Sequence, residues 1–214
     1  MGCKGHPSYD VFCKVVLGKR AIARLREEAE VYFRLCDLQG DVVPVCYKLF
    51  EGELADGPSA CLITEYRGES LDRYMRTTSW RFRCQVIKAL ADIHACGIQN
   101  CDFDVRNIVV DKDGRPFIID FDRAQRHECT APEIISVGVP APFLADFGCD
   151  EIWSFCQGDC GMWKPNTFPF MGGHLALCYF ESVGTLASKA PKGTPRDVAL
   201  EEARRAIERF QRSK

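Results

Sequence analysis

Asp102, Asn107 and Asp120 place two carboxylates and one neutral amide oxygen within a short span of chain. Hard oxygen donors of this kind suit a Mg²⁺ ion that keeps part of its water shell and binds phosphate. Ile108 to Asp111 and Pro116 to Ile119 are β-branched and apolar, and Asp113-Gly114 between them is a strong hairpin signal. An antiparallel hairpin brings its open ends together. Asn107, just before the first strand, and Asp120, just after the second, are therefore expected to be neighbours. Asp102, five residues before Asn107, adds a carboxylate on the loop leading in.

Elements on either side must position this loop. Val11 to Leu17 is β-rich with Lys14 in its middle, either an edge-strand lysine or one aimed into a site. Ala21 to Leu35 has helical period, with Ile22, Leu25, Ala29, Tyr32 and Cys36 recurring at three- and four-residue spacing. Val42 to Phe50 and Ala60 to Tyr66 read as strands separated by turn signals from Gly52 to Pro58. Ser79 is a good N-cap for a helix from Trp80 to Cys96, with Phe82, Val86, Leu90 and Ile93 on one stripe and Gly97 ending it. His94, on that helix, is read as a structural histidine. Gly158 to Gly193 lacks a clear period and is expected to be irregular around one short helix near Leu175 to Ser182. Thr194-Pro195 is expected to cap a last helix running to Arg212, with Leu200, Ala203, Ile207 and Phe210 on one face.

The joint pattern from Asn100 to Asp122 resembles the protein kinase catalytic core, in which an Asp-containing loop ends in Asn and a hairpin leads to Asp-Phe-Gly. The resemblance runs roughly from Val11 to Phe155 and extends to the short kinase-like proteins found in fungi. It implies an α+β, two-lobed fold with an incomplete β-rich N-lobe, residues 1–68 including a hinge, and a mainly helical C-lobe, residues 69–214. It implies ATP and Mg²⁺ as ligands, Asp102 as the catalytic residue, and Asn107 and Asp120 as the metal ligands. Lys14 would contact nucleotide phosphates and pair with a helical glutamate, for which Glu28 is the best placed and Glu27 and Glu30 are rivals. Thr64-Glu65-Tyr66-Arg67-Gly68 resembles the hinge, where the Glu65 carbonyl and the Arg67 amide would meet the adenine edge and Thr64 would line the back of the pocket. Gly148 to Phe155 resembles the start of the central C-lobe helix, with Asp150 bracing the catalytic-loop backbone.

The departures are specific. Asn100 and Cys101 stand where His and Arg are usual, and Asp122 replaces Gly. Arg106 before Asn107 resembles the tyrosine-kinase variant of the loop. Ala131-Pro132-Glu133 spells the motif that closes an activation segment, but it follows Asp120 closely and leaves little room for one. Few residues precede Lys14, and Gly2 and Gly5 do not form a Gly-rich phosphate loop, so a fragment, a shortened gene product or a pseudokinase is expected. Two other readings share these residues. One is a small-molecule kinase of the aminoglycoside or choline type, favoured by the short segment after Asp120. The other is a pseudokinase acting as a binding scaffold, favoured by the missing loop and by Asn100-Cys101.

At 214 residues and 46% hydrophobic content the chain can bury a substantial core. A net charge of −2 without a long basic run argues against a dedicated nucleic-acid binder, while the kinase resemblance implies nucleotide and a protein substrate or partner. No apolar run is long enough for a transmembrane segment, and none resembles a signal peptide. The cysteines, 13 in all, are scattered, several of them (Cys13, Cys46, Cys61, Cys84, Cys178) inside apolar patterns. They fit reduced thiols of an intracellular protein, cytoplasmic or nuclear, better than a disulfide framework. A zinc reading would use Cys149, Cys156, Cys160 and His174, but their spacing matches no paired Cys-x-x-Cys signature. Met1-Gly2-Cys3 invites acylation, yet His6 stands where the myristoylation pattern wants Ser or Thr.

Overall fold

The computed structural model describes residues 10–213. The Met1-Gly2-Cys3 start and the Gly2/Gly5 region lie outside the described residues. The chain is α+β, with small antiparallel sheets. It divides into two compact units, the first containing the described residues up to Ile134 with Leu144–Gly161, the second Ile135–Phe143 with the chain from Met162 onward. Residue 68 lies inside the first unit, so the strands before it and the hairpin after it share one unit.

In the first unit, β1 (Val11–Leu17) turns at Gly18 into α1 (Lys19–Arg34). The strands β2 (Cys46–Leu54) and β3 (Gly57–Glu65) complete an antiparallel sheet of order β1-β3-β2. Helix α1 packs on this sheet through a stripe of Ile22, Leu25, Glu28, Val31 and Tyr32. Burial of a side chain such as Leu25 contributes about 1.5–3 kcal/mol. The stripe follows the helical period, which places Glu28 on the inward face with the apolar residues. Strand β2 begins later than the sequence suggests. Val42 and Val43 are buried in a tight turn whose amides bond the Leu38 carbonyl, and Pro44, lacking an N–H, separates them from the ladder.

Beyond the sheet, β4 (Glu69–Ser70) is followed by α2 (Trp80–Ala95), capped as expected by Ser79, whose Oγ accepts the Phe82 N–H at 3.2 Å. Then come β5 (Ile98–Gln99), β6 (Ile108–Val110), β7 (Pro116–Ile118) and β8 (Gln125–Arg126). The β6–β7 hairpin exists, in the order β4-β6-β7, while β5 pairs with β8. Its turn is longer than a two-residue link. Asp111 closes it, its Oδ1 accepting the N–H groups of Asp113 and Arg115, both at 2.9 Å. Two short helices, α3 (Leu144–Phe147) and α4 (Asp150–Gln157), complete the unit.

Gly68, just before β4, has φ +104, and a Cβ there would run into the Val110 carbonyl. Only glycine permits β4 to approach β6 so closely. Gly68→Ala is expected to destabilise the protein by about 1–3 kcal/mol, read as a lower urea midpoint at unchanged slope.

The second unit corrects one expectation. The segment read as irregular contains a hairpin of β9 (Thr167–Phe170) and β10 (Gly173–Ala176), and Leu177–Glu181 forms a 3₁₀ turn before α5 (Val183–Ala187). Aromatic residues hold it. Phe168, Phe180 and Phe210 form a triangle with ring centroids 5.4–5.5 Å apart. The last helix, α6 (Arg196–Arg212), buries Ala199, Ala203 and Ala206. Thr194 does not cap it; its hydroxyl bonds the Pro191 carbonyl.

Candidate functional site

Three distant segments meet at one ammonium. Lys14 Nζ on β1 donates to Glu28 Oε2 on α1 and to Asp120 Oδ1 after β7, both at 2.7 Å. Glu28, not Glu27 or Glu30, is the partner because it shares the buried stripe of α1. Its side chain is 3% exposed, against 32% for Lys14 and 45% for Asp120. The electrostatics are opposed. Burial pulls Lys14 down, but Glu28 and Asp120 outweigh it and hold the ammonium above the ordinary lysine range. Burial pushes the Glu28 carboxyl up, against the pull of Lys14 and a backbone N–H from Phe121.

Lys14→Met would leave the buried Glu28 carboxylate without its cation and is expected to destabilise the protein by about 2–3 kcal/mol near neutral pH. The pH dependence follows from the two directions. Glu28 is raised above 4.5, so its contribution falls as pH rises through that range. Lys14 is raised above 10.5, so its contribution is present below that pH and is lost as pH rises through its folded value. The gap in urea stability between wild type and Lys14→Met should be widest between these limits and close outside them.

A cavity of about 270 Å³ opens beside this triad. Leu62, Val109 and Ile119 supply apolar wall, while Lys14, Glu28 and Asp120 form its charged side. Thr64, Glu65 and Arg67 line it too. The Arg67 guanidinium lies 2.8 Å from Glu65 Oε2 and stacks over the Phe117 ring at 4.5 Å. The volume lies at the small end for ligand cavities and suits a planar ring better than a whole nucleotide.

Asp102 and Asn107 do not line the cavity. They belong to a hydrogen-bonded loop tied to Asp120. Buried Asn100 donates from Nδ2 to the Asp120 carbonyl at 3.1 Å and accepts the Asp102 N–H on Oδ1 at 3.2 Å. Asn107 Nδ2 donates to the Asp102 carbonyl at 3.1 Å, which leaves its Oδ1 for another partner. The Asn107 carbonyl accepts the Ile119 N–H at 2.9 Å, so Asn107 and Asp120 do flank the base of the hairpin. Asp120 has φ +64, a left-handed conformation that aspartate tolerates better than most residues. The Asp102 carboxylate lies 3.5 Å from Arg123, a partner with no signal in the loop pattern.

The brace on this loop is one residue from where it was expected. Asp150 Oδ1 accepts its neighbour's N–H at the start of α4, at 2.9 Å, and takes only a 3.3 Å bond from Gln99. Glu151 does the bracing. Its Oε1 accepts the Cys101 N–H at 2.7 Å, and its Oε2 accepts the Asn100 N–H at 3.1 Å. Oε2 also lies 2.6 Å from His94 Nε2. Cys101 has φ +65, and these bonds hold it there. The helical phase of α4 gives the cue: Glu151 turns inward beside buried Ile152, whereas Asp150 is exposed.

Ala131-Pro132-Glu133 has no regular structure. No disulfide forms among the described residues, and of the cysteines placed inside apolar patterns Cys13 and Cys178 are exposed. Cys156 and Cys160 are buried thiols; burial pushes Cys156 up to about 12 and Cys160 further still. His174 belongs to the second unit, whereas Cys149, Cys156 and Cys160 lie in the first. No described helix is long and apolar enough to cross a membrane. No protein-family model matches the chain, and no curated protein matches it either.

Proposed function

We propose that this protein is a kinase-like phosphotransferase with an abbreviated two-lobed core, binding ATP with Mg²⁺ beside Lys14 and delivering phosphate to a protein hydroxyl. The meeting of Lys14 with Glu28 and Asp120, residues 14 and 106 positions apart from it, is the observation that carries this reading. The donor set fits the metal. Asp120 offers a carboxylate and Asn107 an amide oxygen, the hard ligands that Mg²⁺ takes. Bound there, Mg²⁺ would supply charge neutralisation on the phosphates. Lys14 would release one carboxylate to meet phosphate oxygens, and the apolar wall around Leu62 and Val109 would take the base. Asp102 would orient the acceptor hydroxyl and receive its proton as the new O–P bond forms and the bond to the leaving diphosphate breaks.

A second reading, a nucleotide-binding scaffold without turnover, is favoured by Asp102 lying outside the cavity with Arg123 as its partner. A thermal-shift titration of the intact chain with ATP tests the binding common to both. With Mg²⁺, ATP at 100 times its Kd should add about 2.7 kcal/mol of stability. No shift with any nucleotide would overturn both readings. ATP turnover offered protein substrates, small alcohols or aminoglycosides then separates a protein kinase from a small-molecule kinase, and turnover that survives in Asp102→Asn would contradict the role given to Asp102.

A further inference from the structure

Behind the catalytic-type loop, four residues converge that the proposed chemistry does not use. His94 stands at the end of α2, His127 and Cys129 follow β8, and Cys149 immediately precedes α4. A ring nitrogen from each histidine and a sulfur from each cysteine all lie within 4.8 Å of one another. The topology explains the convergence. The β5–β8 pairing continues as the His127 N–H donates to the Gly97 carbonyl at 3.0 Å, which sets His127 beside the end of α2. The two imidazole rings meet edge to face with centroids 5.0 Å apart. Cys129, two residues further along, reaches the same cluster as His127. Thr130 then docks on the loop before α4, its hydroxyl donating to the Gly148 carbonyl at 2.8 Å. Gly148 has φ +83, and a Cβ there would sit 2.7 Å from the Thr130 carbonyl oxygen, so glycine is required for this approach.

We propose that His94, His127, Cys129 and Cys149 form a structural zinc site that holds the loop from Asn100 to Asp102 in place through Glu151. Two nitrogens and two sulfurs are a donor set for tetrahedral Zn²⁺, which spaces its ligand atoms about 3.3–3.8 Å apart, so a small contraction of the cluster completes the shell. Two independent observations point to a cation. His94 Nε2 lies 2.6 Å from the Glu151 carboxylate, which fixes the proton on that nitrogen and turns the lone pair of Nδ1 toward Cys149 Sγ at 3.5 Å. A carboxylate behind a histidine in this way is the usual support of a zinc-bound imidazole. His127 Nε2 is buried with no hydrogen-bond partner, a costly state for an imidazole that metal ligation would change. The same Glu151 carboxylate accepts the Asn100 and Cys101 amides, so the ligand His94 and the loop share one support.

The site is distinct from any Mg²⁺ beside Asp120, and its test does not depend on nucleotide binding. The intact chain, purified without chelator, is expected to retain a single equivalent of zinc. Replacement by Co²⁺ should give the intense ligand-field bands of a tetrahedral ion together with thiolate charge-transfer absorption. Cys129→Ser should roughly halve that absorption or abolish binding, whereas Cys178→Ser, at an exposed thiol, should change nothing. Glu151→Gln should weaken Zn²⁺ binding roughly 10–100-fold. If Cys129→Ser does not fold, the wild-type chain decides: chelation should speed hydrogen exchange at the Asn100 and Cys101 amides. Absence of bound metal in the reduced wild-type chain, a Cys129–Cys149 disulfide in its place, or a cobalt spectrum unaltered in folded Cys129→Ser would each overturn the proposal.

Discussion

Asp120→Ala is expected to abolish Mg²⁺-dependent ATP binding, lowering affinity on the order of 100-fold or more, as for loss of a close charge partner. The carboxylate has two roles. It accepts the Lys14 ammonium, and it is the anionic member of the proposed metal pair with Asn107. Its loss should disturb binding far more than folding, because the side chain is 45% exposed and an ion pair of that exposure contributes little. A modest structural effect is still expected. Position 120 has φ +64, where alanine lacks the local polar support that suits aspartate. Asp120→Asn keeps that support and a hydrogen bond to Lys14 while removing the charge. Calorimetric titration should find both variants folded and both unable to bind ATP through Mg²⁺; undiminished binding in Asp120→Asn would remove Asp120 from the site.

Glu151→Ala should have the largest effect on stability. One carboxylate, with a side chain 9% exposed, accepts the Asn100 and Cys101 amides and supports His94. Deleting it strands two backbone donors and a buried imidazole. Each unsatisfied group costs about 1–3 kcal/mol, so a total loss of about 3 kcal/mol or more is expected. For a protein of this size that corresponds to a fall in Tm of roughly 6–12 °C. Asp150→Ala, one residue away, should lose far less, since the Asp150 carboxylate accepts only its neighbour's N–H and a bond from Gln99. Thermal unfolding of the pair discriminates the two residues directly, and equal losses would contradict the assignment of the brace to Glu151.

What was legible in the sequence followed from local periodicity. β1 has its expected bounds, Ser79 caps α2 as expected, and the 3.6-residue stripe of α1 singled out Glu28. The hairpin at Asp113-Gly114 was visible, though the closing role of Asp111 was not. Less was legible where partners come from far along the chain. Nothing local marks Arg123 as the partner of Asp102, or His127 and Cys129 as neighbours of His94, since those meetings depend on β5 pairing with β8. The zinc reading looked to Cys149, Cys156, Cys160 and His174, and only Cys149 of those four belongs to the cluster. Asn100 appeared as a departure from the kinase pattern; in the fold it is the buried amide that joins the Asp102 loop to Asp120. The second unit was hardest to read because its hairpin is built from Phe, Gly and His without strict alternation.

In the proposed function a metal-bound nucleotide would sit between Lys14 and the base of the β6–β7 hairpin. Paramagnetic broadening by Mn²⁺–ATP, followed at backbone amides of the intact wild-type chain, tests it most directly. ATP-dependent broadening is expected, centred on Asn107, Ile119 and Asp120, extending to Lys14 and Gly68, and absent in Asp120→Asn. Broadening that is independent of ATP, or centred on His127 and Cys149 with the Asp120 amides unaffected, would contradict it.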